Sequence, residues 1–262
     1  MILCADDYGL NEEVDRAILQ LGSRGKISAA SCMVSLERCG PEALGRLREH
    51  EARLDIGLHL CLTKEDVQAP EAKTAPSQKS PSCKALLAAA LARKLDQGEM
   101  EAEIGAQYDL FVSKSGRAPN YLDGHLHAHQ FPVVREALIS CVLRLPPGKR
   151  PYVRNTSMSL LGLCRRGLPW AKAFFIARMG AIMRQALLRA GIRTNDGFAG
   201  IYNFKKHANY AKYLPKFIEM LAQPNAILVI HPGETGDWRQ SESRALMQFE
   251  FRPGAINRFC SK

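Results

Sequence analysis

The sequence contains no apolar run approaching the roughly 18 residues that a conventional membrane-spanning helix needs, which excludes an integral membrane protein of that kind. It has no CxxC pair and no tight zinc-finger spacing. Its eight cysteines, at 4, 32, 39, 61, 83, 141, 164 and 260, are scattered and mostly embedded in apolar stretches. They read as buried, reduced thiols, since a chain of this size needs no disulfide framework to fold. The first residues, MILCADDYG, lack a basic n-region and turn acidic by position 6, so a secretory signal is not expected and a cytoplasmic location is. No internal repeat and no nucleic-acid-binding motif stands out, so nucleic acid is not an expected partner.

Acidic residues are also missing from 137 to 195, a segment holding eleven lysines and arginines. That segment carries the whole excess of a chain whose net charge is +10, and it reads as a basic, insertion-like region. A basic surface concentrates anionic partners. Within it, Phe175, Ile176, Met179, Ile182, Met183 and Leu187 fall on one helical face, with Arg178, Arg184 and Arg189 off it. A core-packed helix with a solvated rim has this pattern, and so does a helix resting on a membrane surface, which leaves peripheral membrane association open.

What remains is ordinary globular composition, 46% hydrophobic and 24% charged over 262 residues, which suits one α/β domain spanning 1–262. Met1 to Ala5 is a short apolar run ending in Asp6-Asp7. A helix follows with Asn11 as its N-cap and acidic residues in its first turn. Further strands are expected at 27–34, 54–62, 120–123, 152–154, 197–202 and 226–230, with helical patterns at 41–50, 84–97, 99–115, from 132, 169–190 and 207–222. Residues 64–83, rich in Pro, Ser and Lys, form a long flexible loop. Strand and helix alternating through six or seven units predict a parallel sheet, arranged as a distorted TIM-like (β/α) barrel, closed or nearly so.

Each polar cluster sits where an apolar run stops: Asp6-Asp7, His59, the histidines at 125, 127 and 129, and His231. In a βα barrel these points are C-terminal strand ends, which converge over one face. Five of the seven histidines lie there, leaving His50 and His207 elsewhere. One Asp and two His would hold a divalent metal with positions left for water or substrate, the pattern of a catalytic site. A second Asp could take a proton from water, and a His from another strand could protonate a leaving group. The constellation describes metal-assisted hydrolysis. An extended HLHAH run would place His125, His127 and His129 on one side, and one or two of them would orient other ligands.

Four stretches, ADDYGL at 5–10, GLHL at 57–60, DGHLHAHQFP at 123–132 and HPGE at 231–234, together resemble the YdjC/ChbG-like family of carbohydrate deacetylases. They occur in the family's order over nearly the whole chain. The resemblance implies a distorted βα barrel with one divalent metal, Mg²⁺ or Zn²⁺, and a mechanism related to that of NodB-type polysaccharide deacetylases. On that pattern Asp7, His59 and His125 hold the metal, Asp6 activates water, His231 is the general acid, and Arg154 pairs with Asp6. The implied substrate is an N-acetylated sugar, either a soluble oligosaccharide or an anionic or lipid-linked glycan. The loop at 64–83 and the segment at 137–195 match nothing in the pattern. Related barrels often pair, so a homodimer is one expectation. Two rival readings are a metal-dependent phosphoesterase, whose second metal would need His127 or His129, and a non-catalytic barrel that binds glycan or membrane surface.

Overall fold

The computed structural model describes residues 1–64, 81–158, 170–204, 209–235 and 237–259. Most of the expected loop at 64–83, and residues 159–169 of the basic segment, lie outside the described residues.

Seven strands form one parallel sheet: β1 (Ile2–Tyr8), β2 (Ala29–Cys32), β3 (Asp55–Leu60), β4 (Tyr121–Gly124), β5 (Tyr152–Val153), β6 (Phe198–Ala199) and β7 (Ile227–Ile230). Their order is β5-β4-β3-β2-β1-β7-β6. Every residue of these strands is buried, as expected of a parallel sheet covered by its crossover helices. The helices are α1 (Glu12–Ser23), α2 (Pro41–Arg48), α3 (Cys83–Leu91), α4 (Gln97–Ser115), α5 (Val134–Arg144), α6 (Trp170–Arg189), α7 (Leu214–Met220) and α8 (Asp237–Gln248). The expected unit count holds, but full closure does not. Strands β5 and β6 remain the two edges, and the segment before β6 meets β5 through a bridge between Val153 and Thr194 and through hydrogen bonds that include those between Asn155 and Asn195. The result is a half-barrel with a stitched seam.

Local chemistry accounts for most element boundaries. The Asn11 side chain accepts from the Val14 amide at 3.0 Å and starts α1. Gly116, with φ of 72°, ends α4 in the left-handed conformation. The helical pattern expected over 207–222 shrinks to a single turn at Tyr210–Lys212 followed by α7, because Pro215 is tolerated only in a helix's first turn. The HLHAH run is not extended: His125–Gln130 is a short 3₁₀ segment with Leu126 and His127 at φ of 52° and 59°. Helix α6 also turns differently from its hydrophobicity pattern. Met179, Met183 and Leu187 of the expected face are buried, but Phe175 is 39% exposed and Ala173, Ala177 and Gly180 join the buried side. Gly180 sets this rotation, since a Cβ there would sit 2.3 Å from the Ser157 backbone nitrogen. A tally of apolar side chains gives a glycine no such weight. Among the described residues no helix is long and apolar enough to cross a membrane. The six described cysteines are free thiols.

The strands that carry the polar clusters are packed without slack. Gly57 on β3 lies against the Tyr121 ring on β4, where an added Cβ would come within 2.3 Å of the ring. The ring is held by its hydroxyl, which pairs with Ser31 at 2.8 Å and Cys4 at 3.1 Å. Gly57→Ala should therefore destabilise the protein by about 1–3 kcal/mol through overpacking, read as a lower urea midpoint. An unchanged midpoint would show that the ring moves freely.

Candidate metal centre

The ADDYG stretch is shaped by one extra residue. Strand β1 takes three steps from Ala5 to Tyr8 where β2 takes two from Ala30 to Cys32, a bulge that falls on Asp6 and Asp7. In a regular strand, successive side chains point to opposite faces. Here Asp7 adopts φ of 72°, a left-handed conformation that aspartate tolerates better than most residues. Both carboxylates are thereby engaged at the C-terminal end of the sheet. Gly9 completes the turn at φ of 94°, where a Cβ would lie 2.6 Å from that of Cys39.

Asp7 Oδ1 lies 3.0 Å from His125 Nδ1 and 3.5 Å from His59 Nε2. The three residues each offer a donor atom, all within 4.8 Å of one another. The sequence expectation that Asp7, His59 and His125 meet around one point thus has its geometry. One oxygen and two nitrogens from three strand ends suit a divalent transition ion or zinc, with room left for water and substrate.

Strand register supplies the next layer. His59 and Asp123 are partners in the β3–β4 pairing, and Asp123 Oδ1 sits 2.6 Å from His59 Nδ1. The carboxylate fixes the proton on Nδ1 and leaves Nε2 facing Asp7, the arrangement by which buried carboxylates orient metal-binding histidines. Asp123 also accepts from Ser31 Oγ at 2.6 Å and pairs with Arg154. Asp123 opens the D-x-H-x-H-x-H stretch, but residue type and spacing alone gave it no role in the site. Arg154 is fully buried and forks onto Asp6, with both nitrogens 2.9 Å from the two carboxylate oxygens. His129 Nε2 donates to the Arg154 carbonyl at 2.9 Å, so this histidine supports the arginine and is not among the donors grouped with Asp7.

The C-terminal part of the chain adds two residues that no motif announced. Arg239 on α8 donates to Asp7 Oδ2 at 2.7 Å. Glu242, one turn further, accepts from the His231 amide and from the Tyr202 hydroxyl. His231 lies in a cavity of ≈ 110 Å³ that is also lined by Asp6, His59, His125, His127 and Phe198. At about 30 Å³ per water, this holds a group of a few heavy atoms. A larger cavity of ≈ 550 Å³ beside α6 shares only Phe198 with it and presents a single carboxylate, Asp196.

The electrostatics favour a cation at the Asp7 cluster. Three buried carboxylates, Asp6, Asp7 and Asp123, face two guanidinium groups, Arg154 and Arg239. Burial opposes ionisation of Asp7, but Arg239 and His125 more than offset it and hold its pKa well below the usual carboxylate range. Burial also pushes His59 down, yet Asp123 and Asp6 overcome this and raise it to about 10. The same carboxylates that draw a proton to this imidazole would draw a metal ion. His231 differs: burial pushes it down to about 4, against the pull of Asp7 and Asp6. His127 is also pushed well down by burial, with Arg154 adding to the effect.

A family model described as "YdjC-like protein" matches residues 1–254. A human protein named "carbohydrate deacetylase" is 25% identical over 254 residues, covering 89% of this chain and 74% of that protein. A Proteus mirabilis "chitooligosaccharide deacetylase" is 29% identical over 140 residues, covering 52% of this chain and 54% of that protein. The chain thus spans about half the length of the bacterial chitooligosaccharide deacetylases it matches. A solved Enterococcus faecalis structure, named as a candidate cellobiose-phosphate cleavage protein, superposes with a TM-score of 0.58 at 20% identity. It covers 94% of this chain and 90% of its own, and shows the same fold.

Burial raises the Glu242 carboxyl to about 7. The folded protein therefore keeps a proton there that the unfolded chain releases above about 4.5. This contribution to stability is fully present below the unfolded pKa and is lost as pH rises through about 7. Glu242→Gln keeps an acceptor for the His231 amide and removes the titration. Between pH 5 and pH 8, the wild type should lose more of its urea midpoint than the variant. Parallel losses would show that Glu242 does not titrate in this range.

Proposed function

The chain belongs to the YdjC-like protein family, and from that premise we propose that it is a metal-dependent hydrolase removing the acetyl group from an N-acetylated sugar. The observation that carries the reading is the pairing of adjacent carboxylates: Asp7 in the cluster with His59 and His125, and Asp6 lining the cavity beside it. The names of the human and bacterial relatives support the substrate class.

A divalent cation held by Asp7, His59 and His125, Mg²⁺ or Zn²⁺, would polarise the acetamide carbonyl and make water a stronger acid. The rest of the work belongs to the chain. Asp6 accepts a proton from the attacking water as its oxygen bonds to the carbonyl carbon. Arg154 keeps the Asp6 carboxylate aimed, through the fork that holds both oxygens. His231 then gives a proton to the nitrogen as the C–N bond breaks, releasing acetate and the free amine. In the folded protein His231 is neutral at pH 7. As negative charge develops on the tetrahedral carbon's oxygen, His231 takes up a proton from solvent and passes that proton to the nitrogen, while the proton on Asp6 returns to solvent once acetate has left. Glu242 fixes the His231 backbone from behind.

The cavity wall gives an indication of the sugar. Lys172 lines it alongside Leu126 and Ile176, with its ammonium 4.9 Å from the Phe204 ring. That favours a substituent of negative charge near the acetamido group. Phe175, exposed one turn on from Lys172 on α6, would let the same face meet an anionic lipid surface if the glycan is lipid-linked. The phosphoesterase reading needs a second metal. Among the described residues the other donor group is Cys4, Asp6 and Asp123, and Arg154 already binds both of its carboxylates. His129 is committed to the Arg154 carbonyl. A barrel that only binds glycan would have no use for a buried, arginine-clamped Asp6.

Asp6→Asn should lower acetate release by at least about 100-fold, the scale of losing a general base, while metal content stays at the wild-type level. His59→Ala should lose the metal as well as the activity. Acetate release measured over a panel of N-acetyl sugars, with and without chelator, tests the reading. Release that survives chelation, or an active Asp6→Asn, overturns it.

A further inference from the structure

We propose that Arg239 determines which cations the Asp7–His59–His125 cluster accepts, by withholding one of the two Asp7 oxygens. The inference rests on reading that cluster as a metal centre. Asp7 Oδ1 faces the two histidines, whereas Oδ2 is bonded to Arg239 at 2.7 Å. Neither partner is free to turn. Asp7 is 1% exposed and fixed by the bulge in β1. The guanidinium lies over the Trp238 ring at 4.6 Å and donates to the His231 carbonyl at 3.4 Å.

The helix behind Arg239 is itself fastened to the loop that carries His231. Glu242 accepts from the His231 amide. Ser243 Oγ accepts from the Gly233 amide at 3.0 Å and donates to the Gly233 carbonyl at 2.8 Å. Gln240 donates to the Glu234 carbonyl at 2.6 Å. Arg239 therefore acts as a positioning residue on a rigid support, and Asp7 can give a cation one oxygen only.

A protein donor set of one oxygen and two imidazole nitrogens suits small ions such as Zn²⁺ and Co²⁺. Ca²⁺ prefers six to eight oxygens and commonly takes both oxygens of a carboxylate. Removing the guanidinium releases Oδ2 and makes the second mode available. Loss of a positive charge would strengthen every divalent cation in the same direction. The ratio of affinities, and not either affinity alone, therefore reports the oxygen count.

The test titrates Co²⁺ and Ca²⁺ by calorimetry onto the chelator-stripped full chain. In Arg239→Met, the affinity for Ca²⁺ relative to Co²⁺ should rise by about tenfold or more, the lower end of what outer-layer partners of metal ligands are worth. Arg239→Lys retains a donor for Oδ2 and should stay within about threefold of the wild-type ratio. A ratio unchanged in Arg239→Met overturns the role of Arg239 and leaves the metal centre standing. Failure of the wild type to bind Co²⁺ overturns the metal centre itself. A crystal structure of the Co²⁺-loaded wild type needs no variant: one Asp7 oxygen on the ion supports the proposal, and two on the ion refute it.

Discussion

A guanidinium without access to solvent sits between two carboxylates, and the polar interior is organised around it. Arg154 holds Asp6 with a two-pronged fork and reaches Asp123 with the same group. Asp123 in turn fixes His59, and His59 faces Asp7. Withdrawing three carboxylates from water is costly unless positive charge follows them. Arg154 supplies part of that charge, and burial lowers its proton affinity less than Asp123 and Asp6 raise it. A buried ion pair of this kind contributes little net stability compared with an apolar core. Its value lies in fixing which atoms face the cavity.

This charge arrangement also separates His231 and His127 from His59, although all three line the same cavity. His59 lies among carboxylates and holds positive charge readily, whereas His231 and His127 are kept neutral mainly by burial. Imidazoles a few ångströms apart thus differ in what they can do because their neighbours differ. Residue type alone would have made them equivalent.

Much of this was legible in the sequence, for definable reasons. Asp6, Asp7, His59 and His125 each sit where an apolar run stops, and parallel strands bring such points to one face whatever their separation in the chain. The pairing of Arg154 with Asp6 followed from the family resemblance and not from composition or spacing. Arg239 and Glu242 could not be anticipated. They lie in DWRQSESRALMQ, whose polar residues look like any solvated helix surface, and their partners are 232 and 11 positions away. The rotation of α6 escaped because it is set by Gly180, which contributes space and no side chain. The conformation of the HLHAH run was not legible, because nothing in its composition signals two left-handed residues in succession.

Strand β1 lies in the middle of the sheet, hydrogen-bonded to β2 on one side and β7 on the other. One of those neighbours is made almost at once on the ribosome, and the other only after more than two hundred further residues. Until β7 and α8 emerge, the nascent chain carries an apolar strand with one unpaired edge and an Asp7 that lacks Arg239. Such an edge is what chaperones and aggregating neighbours capture. Strand β1 is thus made long before its second edge is sealed, and premature termination before β7 leaves the centre of the sheet open.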